Sequence, residues 1–287
     1  MTTFKNITVD GLNIFYREAG DTSNPDFLLL HGFPSASHMF RNLMPILAKH
    51  FHVVAPDMPG FGQTESPDHT KFEYTFKHIA KIMNDFTDAI NFKNFYMYVF
   101  DYGAPVGFYI ASSHPEKILG IVSQNGNVYQ EGLGKKWETR KDFWEHPTEE
   151  KRNSYRNAFA LETIKGQYTF GTVPGRVAPD GYMVDVAYAL NGGEAYAQRQ
   201  LDLIFDYQNN IKSYPKFQEY LRKYQPKLLA VWGKNDPSFI YPGALAFKKD
   251  DPNAEVDLVD SGHFALESHA NSIGQMILDY FLMIKPR

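Results

Sequence analysis

Hydrophobic and polar positions alternate with two different periods along this chain, and the changes of period outline its elements. Residues 4–20 alternate apolar and polar side chains around Asp10-Gly11, which predicts a β-hairpin. Continuous apolar runs follow at "FLLL", "HVVAP", "NFYMYVF" and "LGIVSQ", as is typical of strands covered on both faces. Between them apolar residues recur at helical spacing, for example over residues 35–50, where Ser35 or Ser37 is a suitable N-cap.

The pattern changes in the middle of the chain and then returns. Residues 129–224 predict helices and aromatic-rich loops without a convincing strand. Strand and helix patterns resume at "PKLLAVWGKND" and end with a helix over "SHANSIGQMILDYFLMI". Strands that alternate with helices form a mostly parallel sheet with helices on both faces. We therefore expect an α/β core domain over residues 1–128 and 225–287, with a helical cap domain inserted over residues 129–224.

Composition and charge narrow the function classes. The chain is 43% hydrophobic and 22% charged, which is ordinary for a globular protein with a sizeable core. A net charge of −4 provides no basic field for nucleic acid or anionic lipid. There is no cysteine, which excludes disulfides, thiolate metal sites and a cysteine nucleophile. Because no signal-peptide pattern and no membrane-length apolar run is present, we expect a soluble cytoplasmic protein without a membrane partner.

Three ionisable residues stand where predicted strands end. Asp101 follows "MYVF", Asp236 follows "AVWGKN" and His263 follows "DLVDSG". Each alone is compatible with a structural role, since aspartates commonly cap helices and shape turns. Sites in open α/β sheets form outside the carboxyl ends of the strands, so three such residues on three strands predict a shared site.

An aspartate on a sharp strand-to-helix turn is a candidate nucleophile. Gly103 and Ala104 provide the space that such a turn needs, whereas Val99 on the upstream side is bulkier than usual. A carboxylate is ionised at neutral pH, so Asp101 could displace a leaving group from saturated carbon without a base and form an ester. The alternative is that Asp101 only caps the helix.

The other candidate residues complete this chemistry. We expect His263 to activate water against the ester and Asp236 to orient the imidazole and stabilise its charged form. The backbone N–H groups of Phe33 and Tyr102 are predicted to form the oxyanion hole. Neither a metal nor an organic cofactor is predicted, because no His/Asp/Glu spacing favours one.

Four motifs, "HGFP", "FDYGAP", "WGKNDPSF" and "SGHFALE", occur in an order that resembles the α/β-hydrolase superfamily over nearly the whole chain. The aspartate in "FDYGAP" resembles the nucleophile of the epoxide hydrolase and haloalkane dehalogenase branch. The resemblance implies a cap domain at residues 129–224, a cis bond before Pro34, and structural roles for Asp57 and His31. The chain has no G-x-S-x-G, so an esterase or lipase reaction lacks its nucleophile.

The resemblance leaves the leaving group open. An opening epoxide needs an acid, which in epoxide hydrolases is supplied by cap tyrosines, whereas a departing halide needs N–H donors. Dehalogenases place Trp after the nucleophile and commonly Asn after "HG", where this chain has Tyr102 and Phe33. Fluoroacetate dehalogenases carry arginines just past the nucleophile, where Tyr102 and Pro105 stand here, so we expect no haloacid substrate. Some dehalogenases carry the acid of the triad after the strand that follows the nucleophile's helix. Only Asn125 and Asn127 occur at that place in this chain, so Asp236 is the remaining candidate for the acid.

Two cap segments resemble those that carry the ring-opening tyrosines of epoxide hydrolases. "KGQYTFGTVPG" corresponds to the first and implies Tyr168, and "IFDYQNNIKSYP" corresponds to the second and implies Tyr207. Alternatively, Trp137 and Trp144 of the cap are candidate halide donors, while Trp232 in its predicted strand is expected to be packing.

The sequence thus predicts an enzyme that hydrolyses an epoxide to a vicinal diol through an ester on Asp101. A small hydrophobic substrate is expected to contact Phe33, Trp144 and Phe170. A haloalkane dehalogenase with the same triad is the main alternative, and a non-catalytic ligand-binding protein is a second one. The sequence does not indicate an oligomeric state.

Overall fold

The computed structural model describes residues 1–282, and eight strands form one sheet in the order β1-β2-β4-β3-β5-β6-β7-β8. The strands are β1 (Thr3–Val9), β2 (Leu12–Ala19), β3 (Asp26–Leu30), β4 (His52–Pro56), β5 (Phe95–Phe100), β6 (Ile118–Gln124), β7 (Lys227–Gly233) and β8 (Glu255–Val259). β2 pairs antiparallel with β1 and β4, and the other neighbours pair in parallel. The predicted hairpin and the mostly parallel sheet are therefore confirmed.

Nine α-helices lie in the described part of the chain. They are α1 (Met44–Leu47), α2 (Phe76–Ala89), α3 (Gly103–Ser113), α4 (Trp137–Glu145), α5 (Glu149–Ser154), α6 (Leu161–Thr169), α7 (Pro179–Tyr224), α8 (Pro242–Asp250) and α9 (Leu266–Leu282). The last two residues of the predicted final helix, 283 and 284, lie outside the described residues. None of the helices within residues 1–282 has the length and hydropathy needed to cross a bilayer.

The single helix predicted over residues 35–50 is wrong. The chain instead forms a 3₁₀ turn at Ser37–Phe40 and then the one-turn helix α1. Pro45 lacks the N–H that a helix interior needs, and it lies in the first turn of α1, where that N–H would have no partner in any case, so the sequence favours a helix start here. Neither Ser35 nor Ser37 caps a helix; the backbone N–H of Ser37 donates to Asp57 Oδ1 at 2.7 Å.

The segment between β6 and β7 is helical. It contains α4 to α7, and no strand occurs in residues 129–224, all of which the structure describes. The long helix α7 is interrupted at Gly193, whose φ of 52° and ψ of −133° are not helical. This segment is a helical insertion like the predicted cap, while the limits of the two domains stay a prediction.

Apolar side chains cover both faces of the sheet. Along β5, Met97 and Val99 pack in the cluster on one face, and Tyr98 and Phe100 pack in the cluster on the other. All four are fully buried, as expected for the alternating side chains of a parallel strand between two helical layers. This packing fixes the carboxyl end of β5, from which Asp101 extends.

Candidate active site

The ends of three strands bring Asp101, Asp236 and His263 together. His263 Nε2 lies 3.4 Å from Asp101 Oδ2, and His263 Nδ1 lies 2.6 Å from Asp236 Oδ2. The three residues are only 7%, 3% and 5% exposed, in the order Asp101, Asp236, His263. The imidazole is therefore held between two buried carboxylates, one on each ring nitrogen.

Backbone N–H groups bind only one of the two carboxylate oxygens of Asp101, so the two oxygens have different environments. Oδ1 accepts hydrogen bonds from the N–H groups of Phe33 and Tyr102, at 2.7 and 2.6 Å. Oδ2 faces His263. The Phe33–Pro34 peptide is cis, as the resemblance implies. One oxygen is thus held by two donors, while the other is directed toward the imidazole.

The turn that carries Asp101 is a tight left-handed one. Asp101 has a φ of 47°, a region that residues other than glycine rarely adopt and that occurs at functional turns. Gly103 lies against the backbone oxygen of Leu30, so any Cβ there would clash. The bulky Val99 is accommodated because Gly107 of α3 faces it: a Cβ on Gly107 would lie 2.5 Å from Val99 Cγ1.

Asp236 is fixed from three sides. Its Oδ1 accepts from the N–H groups of Ser238 at 2.7 Å and Phe239 at 3.2 Å. Its Oδ2 accepts from Asn125 Nδ2 at 2.8 Å in addition to its contact with His263. Sequence reasoning considered Asn125 only as an alternative position for the acid and missed this contact. The available signal was its place directly after the predicted strand β6.

The charge of His263 is set by its neighbours. Burial alone lowers the pKa of the imidazole, but the carboxylates of Asp236 and Asp101 more than offset burial and raise the pKa to about 10. The resting site therefore contains an imidazolium between two carboxylates.

A cavity of about 560 Å³ opens over these residues between the core and the helical insertion. Phe33, Tyr102 and Phe170 line it together with the three strand-end residues. Trp144 does not line it; its ring packs beside Trp137, with centroids 6.2 Å apart. Of the three aromatic side chains predicted to contact substrate, the structure places Phe33 and Phe170 at the cavity.

Tyr168 does not reach the cavity. It is fully buried and its ring stacks on Phe264 with centroids 3.7 Å apart. Its hydroxyl donates to Asp185 and also lies 3.2 Å from Ser35 Oγ. The expected role of Tyr168 in ring opening is therefore corrected: α6 directs this side chain into the contact with the core, and its proton is committed to Asp185.

Tyr207 lies behind the wall of the cavity with an unused hydroxyl. Its ring packs against the cavity-lining rings of Tyr102 and Trp137, with centroids 5.7 and 4.6 Å away. The hydroxyl is buried and has no hydrogen-bond partner within residues 1–282. Burial raises the pKa of Tyr207 well above its ordinary value, and Tyr214 and Asp101 add to the rise. The phenol therefore keeps its proton at neutral pH.

The indole N–H groups of all three tryptophans are already engaged. Trp137 donates to the Ser238 carbonyl at 3.1 Å and Trp144 to the Ile204 carbonyl at 3.1 Å. Trp232 donates to the Phe239 carbonyl at 2.7 Å, which confirms its expected packing role. In this geometry no indole is free to bind a halide.

Arg140, on α4, is a cavity residue that sequence reasoning missed. It lines the cavity with Asp101 and His263, and its guanidinium lies over Trp137, with Cζ 4.5 Å from the ring centroid. The sequence did not single out Arg140 among the charged residues of "KKWETRK", because the orientation of α4 decides which of these side chains faces the cavity.

Comparison with known proteins identifies the family. A family model described as the alpha/beta hydrolase fold matches residues 25–270. The chain belongs to this family. It is 44% identical over 286 residues to an uncharacterised hydrolase from Saccharomyces cerevisiae, a match that spans 95% of this chain and 94% of the yeast protein. It is also 35% identical over 106 residues to a haloalkane dehalogenase from Mesorhizobium japonicum, covering 37% of this chain and 33% of that protein.

Solved structures show the same fold. A haloalkane dehalogenase from Bradyrhizobium elkani superposes with a TM-score of 0.82 at 21% identity, covering 99% of both chains. An epoxide hydrolase superposes with a TM-score of 0.77 at 19% identity, covering 99% of this chain and 100% of the other. At the coarse level, the chain is an enzyme of the α/β-hydrolase type that is related to haloalkane dehalogenases over part of its length and shares its fold with an epoxide hydrolase.

Proposed function

We propose that this enzyme hydrolyses an epoxide to a vicinal diol through an alkyl ester on Asp101. The observation that carries the proposal is the contrast between donors at the site. Tyr207 has a buried, protonated hydroxyl whose near polar neighbour is the Tyr214 hydroxyl and which donates to no carboxylate or carbonyl within residues 1–282, whereas all three indole N–H groups are occupied by carbonyl oxygens. The donor set therefore favours an epoxide over a halide leaving group.

The first step forms the ester. Asp101 Oδ2 attacks one epoxide carbon, a new C–O bond forms, and the C–O bond to the ring oxygen breaks. The ring oxygen takes the proton of the Tyr207 hydroxyl, and the tyrosinate that remains is reprotonated from solvent. Oδ1, held by the N–H groups of Phe33 and Tyr102, becomes the carbonyl oxygen of the ester.

The second step regenerates the carboxylate. Ester formation removes the negative charge of Asp101, one of the charges that raise the pKa of His263, so the imidazolium more readily loses its proton to solvent. The neutral imidazole takes a proton from water, and the hydroxide adds to Cγ of Asp101. The negative charge develops on Oδ1, where the two N–H donors stabilise it. Collapse of the tetrahedral intermediate breaks the bond between Cγ and the product oxygen, which takes the proton of the added hydroxyl and leaves as the diol. The Asp101 carboxylate and the His263 imidazolium of the resting site are thereby restored.

A panel of epoxides and haloalkanes, with detection of diol and halide, tests the reaction. We expect diol from styrene oxide or a similar epoxide and no halide from bromoalkanes. Release of halide while epoxides remain intact would select a haloalkane dehalogenase, the candidate that the match to the Mesorhizobium enzyme favours. A protein that turns over neither class, yet is stabilised by a bound ligand, would be a binding protein.

The His263→Gln variant tests the intermediate separately. The ester should form and persist because the base that activates water is absent. Mass spectrometry of the intact variant with substrate should show one adduct, and peptide mapping should place it on Asp101. The Asp101→Asn, His263→Gln double variant is the control and should show no adduct.

A further inference from the structure

The cavity contains a positive charge that the proposed reaction does not use. Arg140 Nη1 is buried and has no hydrogen-bond acceptor in the part of the chain that the structure describes. The guanidinium lies over the Trp137 ring beside the cavity, with Cζ 4.5 Å from the ring centroid. A buried N–H on a cation is costly when it lacks an acceptor, so this geometry favours an acceptor that arrives with the ligand.

Acidic residues of the insertion do not supply that acceptor. Asp142 pairs with Lys151 at 2.7 Å, Asp202 with Arg152 at 2.8 Å, and Glu194 with Arg156 at 2.7 Å. Their carboxylates are directed to other basic side chains.

The carboxylates of the site are also engaged. Asp101 and Asp236 are the two carboxylates that line the cavity, and both lie against His263. Arg140 and Lys136 are the cations that line it outside the triad. Lys136 is exposed, whereas Nη1 of Arg140 is buried. Arg140, which is half-buried, is therefore the lining cation that is held against the protein without a paired carboxylate.

A second donor lies next to Arg140. Tyr102 lines the same cavity, and its hydroxyl is buried without a hydrogen bond of ordinary length among residues 1–282. Burial raises the pKa of Tyr102 to about 12, and the positive charge of Arg140, together with a hydrogen-bonding contact between Arg140 and the phenol, opposes this rise. The guanidinium of Arg140 and the phenol of Tyr102 therefore lie beside each other at one part of the cavity, and neither is paired with a carboxylate among residues 1–282.

We propose that the guanidinium of Arg140, assisted by the Tyr102 hydroxyl, binds a carboxylate group of the substrate. The substrate is then a small epoxide that carries this acid group on an apolar hydrocarbon framework. The substrate class rests on the proposed function. A planar guanidinium matches a carboxylate through two parallel hydrogen bonds, and its single charge suits a monoanion. Phe33, Ala158 and Phe170 line the cavity and provide apolar contacts for the hydrocarbon part.

This subsite revises the expectation of a purely hydrophobic substrate. The positions just past Asp101, which carry arginines in fluoroacetate dehalogenases, hold Tyr102 and Pro105 here. In the proposed arrangement the cation comes from α4 of the insertion instead, so the acid group lies on the side of the cavity formed by the insertion.

Binding of phenylacetate, which has no epoxide and cannot react, tests the subsite by isothermal titration calorimetry. The wild type should bind phenylacetate more tightly than phenylacetamide, and Arg140→Gln should weaken phenylacetate binding about tenfold or more, the scale of a lost charged hydrogen bond. Lys141→Gln is the matched control, because it removes the same charge from an exposed position on α4 outside the cavity. Its affinity for phenylacetate should equal that of the wild type.

Two outcomes overturn the proposal: equal affinity of phenylacetate for the wild type and Arg140→Gln, or no preference of the wild type for the acid over the amide. Circular dichroism shows whether Arg140→Gln is folded. If it is not, Arg140→Lys decides, since it keeps the charge but loses the planar fork. It should bind phenylacetate more weakly than the wild type, and equal binding would count against the subsite.

Kinetics separate this inference from the proposed function. The ratio of kcat/KM for 4-carboxystyrene oxide to that for its primary amide should exceed one in the wild type and fall about tenfold in Arg140→Gln. Carboxylate binding without diol formation from any epoxide contradicts the proposed reaction and leaves the anion subsite in place. Diol formation with equal kcat/KM for acid and amide contradicts the subsite and leaves the reaction in place.

Discussion

At the scale of single residues, the chemistry depends on which donors and acceptors are free. Asp101 Oδ1 is held by two N–H groups, while Oδ2 remains available on the side of His263. Tyr207 carries a proton without an acceptor, and Tyr168 carries one that is committed to Asp185. Residues of the same type thus have different roles because their neighbours differ.

Replacing Tyr207 with Phe should lower kcat/KM for a neutral epoxide by roughly 10²-fold, the scale of general-acid catalysis. The change removes only the hydroxyl and leaves the ring packed on Trp137. Tyr109→Phe is the control, because its hydroxyl bonds to Ser213 outside the cavity. Equal rates in the two variants would exclude Tyr207 as the acid, and a loss confined to Tyr102→Phe would move that role to Tyr102.

The raised pKa of His263 predicts a pH dependence of stability. The pKa rises from an ordinary value of 6.5 to about 10 on folding, so the folded state binds this proton more tightly than the unfolded state. The resulting stabilisation is fully present below pH 6.5 and is lost as the pH rises toward about 10. Chemical denaturation across this range should therefore show the free-energy difference between the wild type and His263→Gln decreasing with pH. A difference that stays constant would contradict the raised pKa.

At the scale of elements, the junction of β5 and α3 determines where Asp101 points. Val99 occupies a place that usually holds a small residue, and Gly107 compensates one turn into α3. The strand and the helix are thus matched to each other across the turn. Val99, which departs from the motif, is tolerated because its partner Gly107 lacks a side chain.

The Gly107→Ala variant tests this match. Its new Cβ would meet Val99, and overpacking of this kind costs about 1–3 kcal/mol in the free energy of unfolding. In the Val99→Ala background the same change should cost less, because the opposing methyl groups are gone. A double-mutant cycle measured by chemical denaturation gives the coupling. Additive effects of the two changes would show that Val99 and Gly107 are not matched.

At the scale of the whole molecule, the positions of the strand ends could be predicted from local sequence patterns, whereas the packing of the insertion could not. The strand ends at Asp101 and Asp236 follow from continuous apolar runs and the one before His263 from a shorter, mixed strand pattern, and parallel strands bring such ends to one edge of the sheet. Their meeting was therefore predictable, while their catalytic roles stay a proposal. The places of Tyr168 and Arg140 depend on how α6 and α4 are rotated against the core, which short motifs do not encode.

The packing of the insertion on the core is tested by Tyr168→Phe. Loss of the hydroxyl leaves buried Asp185 without one of its donors, and such a loss costs about 1–3 kcal/mol in the free energy of unfolding. Turnover per folded molecule should stay near the wild-type value, because the Tyr168 hydroxyl donates to Asp185 and its ring stacks on Phe264, which does not line the cavity. Tyr182→Phe, which changes a half-buried tyrosine nearby on α7, is the control for stability. Wild-type stability together with a large loss of turnover in Tyr168→Phe would return Tyr168 to the ring-opening role.

The central claim is that the enzyme's own carboxylate supplies the oxygen that first enters the product. A single turnover with excess enzyme in ¹⁸O-labelled water measures this directly, with mass spectrometry of the diol and of the peptide that contains Asp101. The account predicts an unlabelled diol and ¹⁸O in the Asp101 carboxylate. A labelled diol with an unlabelled Asp101 peptide would show direct attack by water and would contradict the ester mechanism.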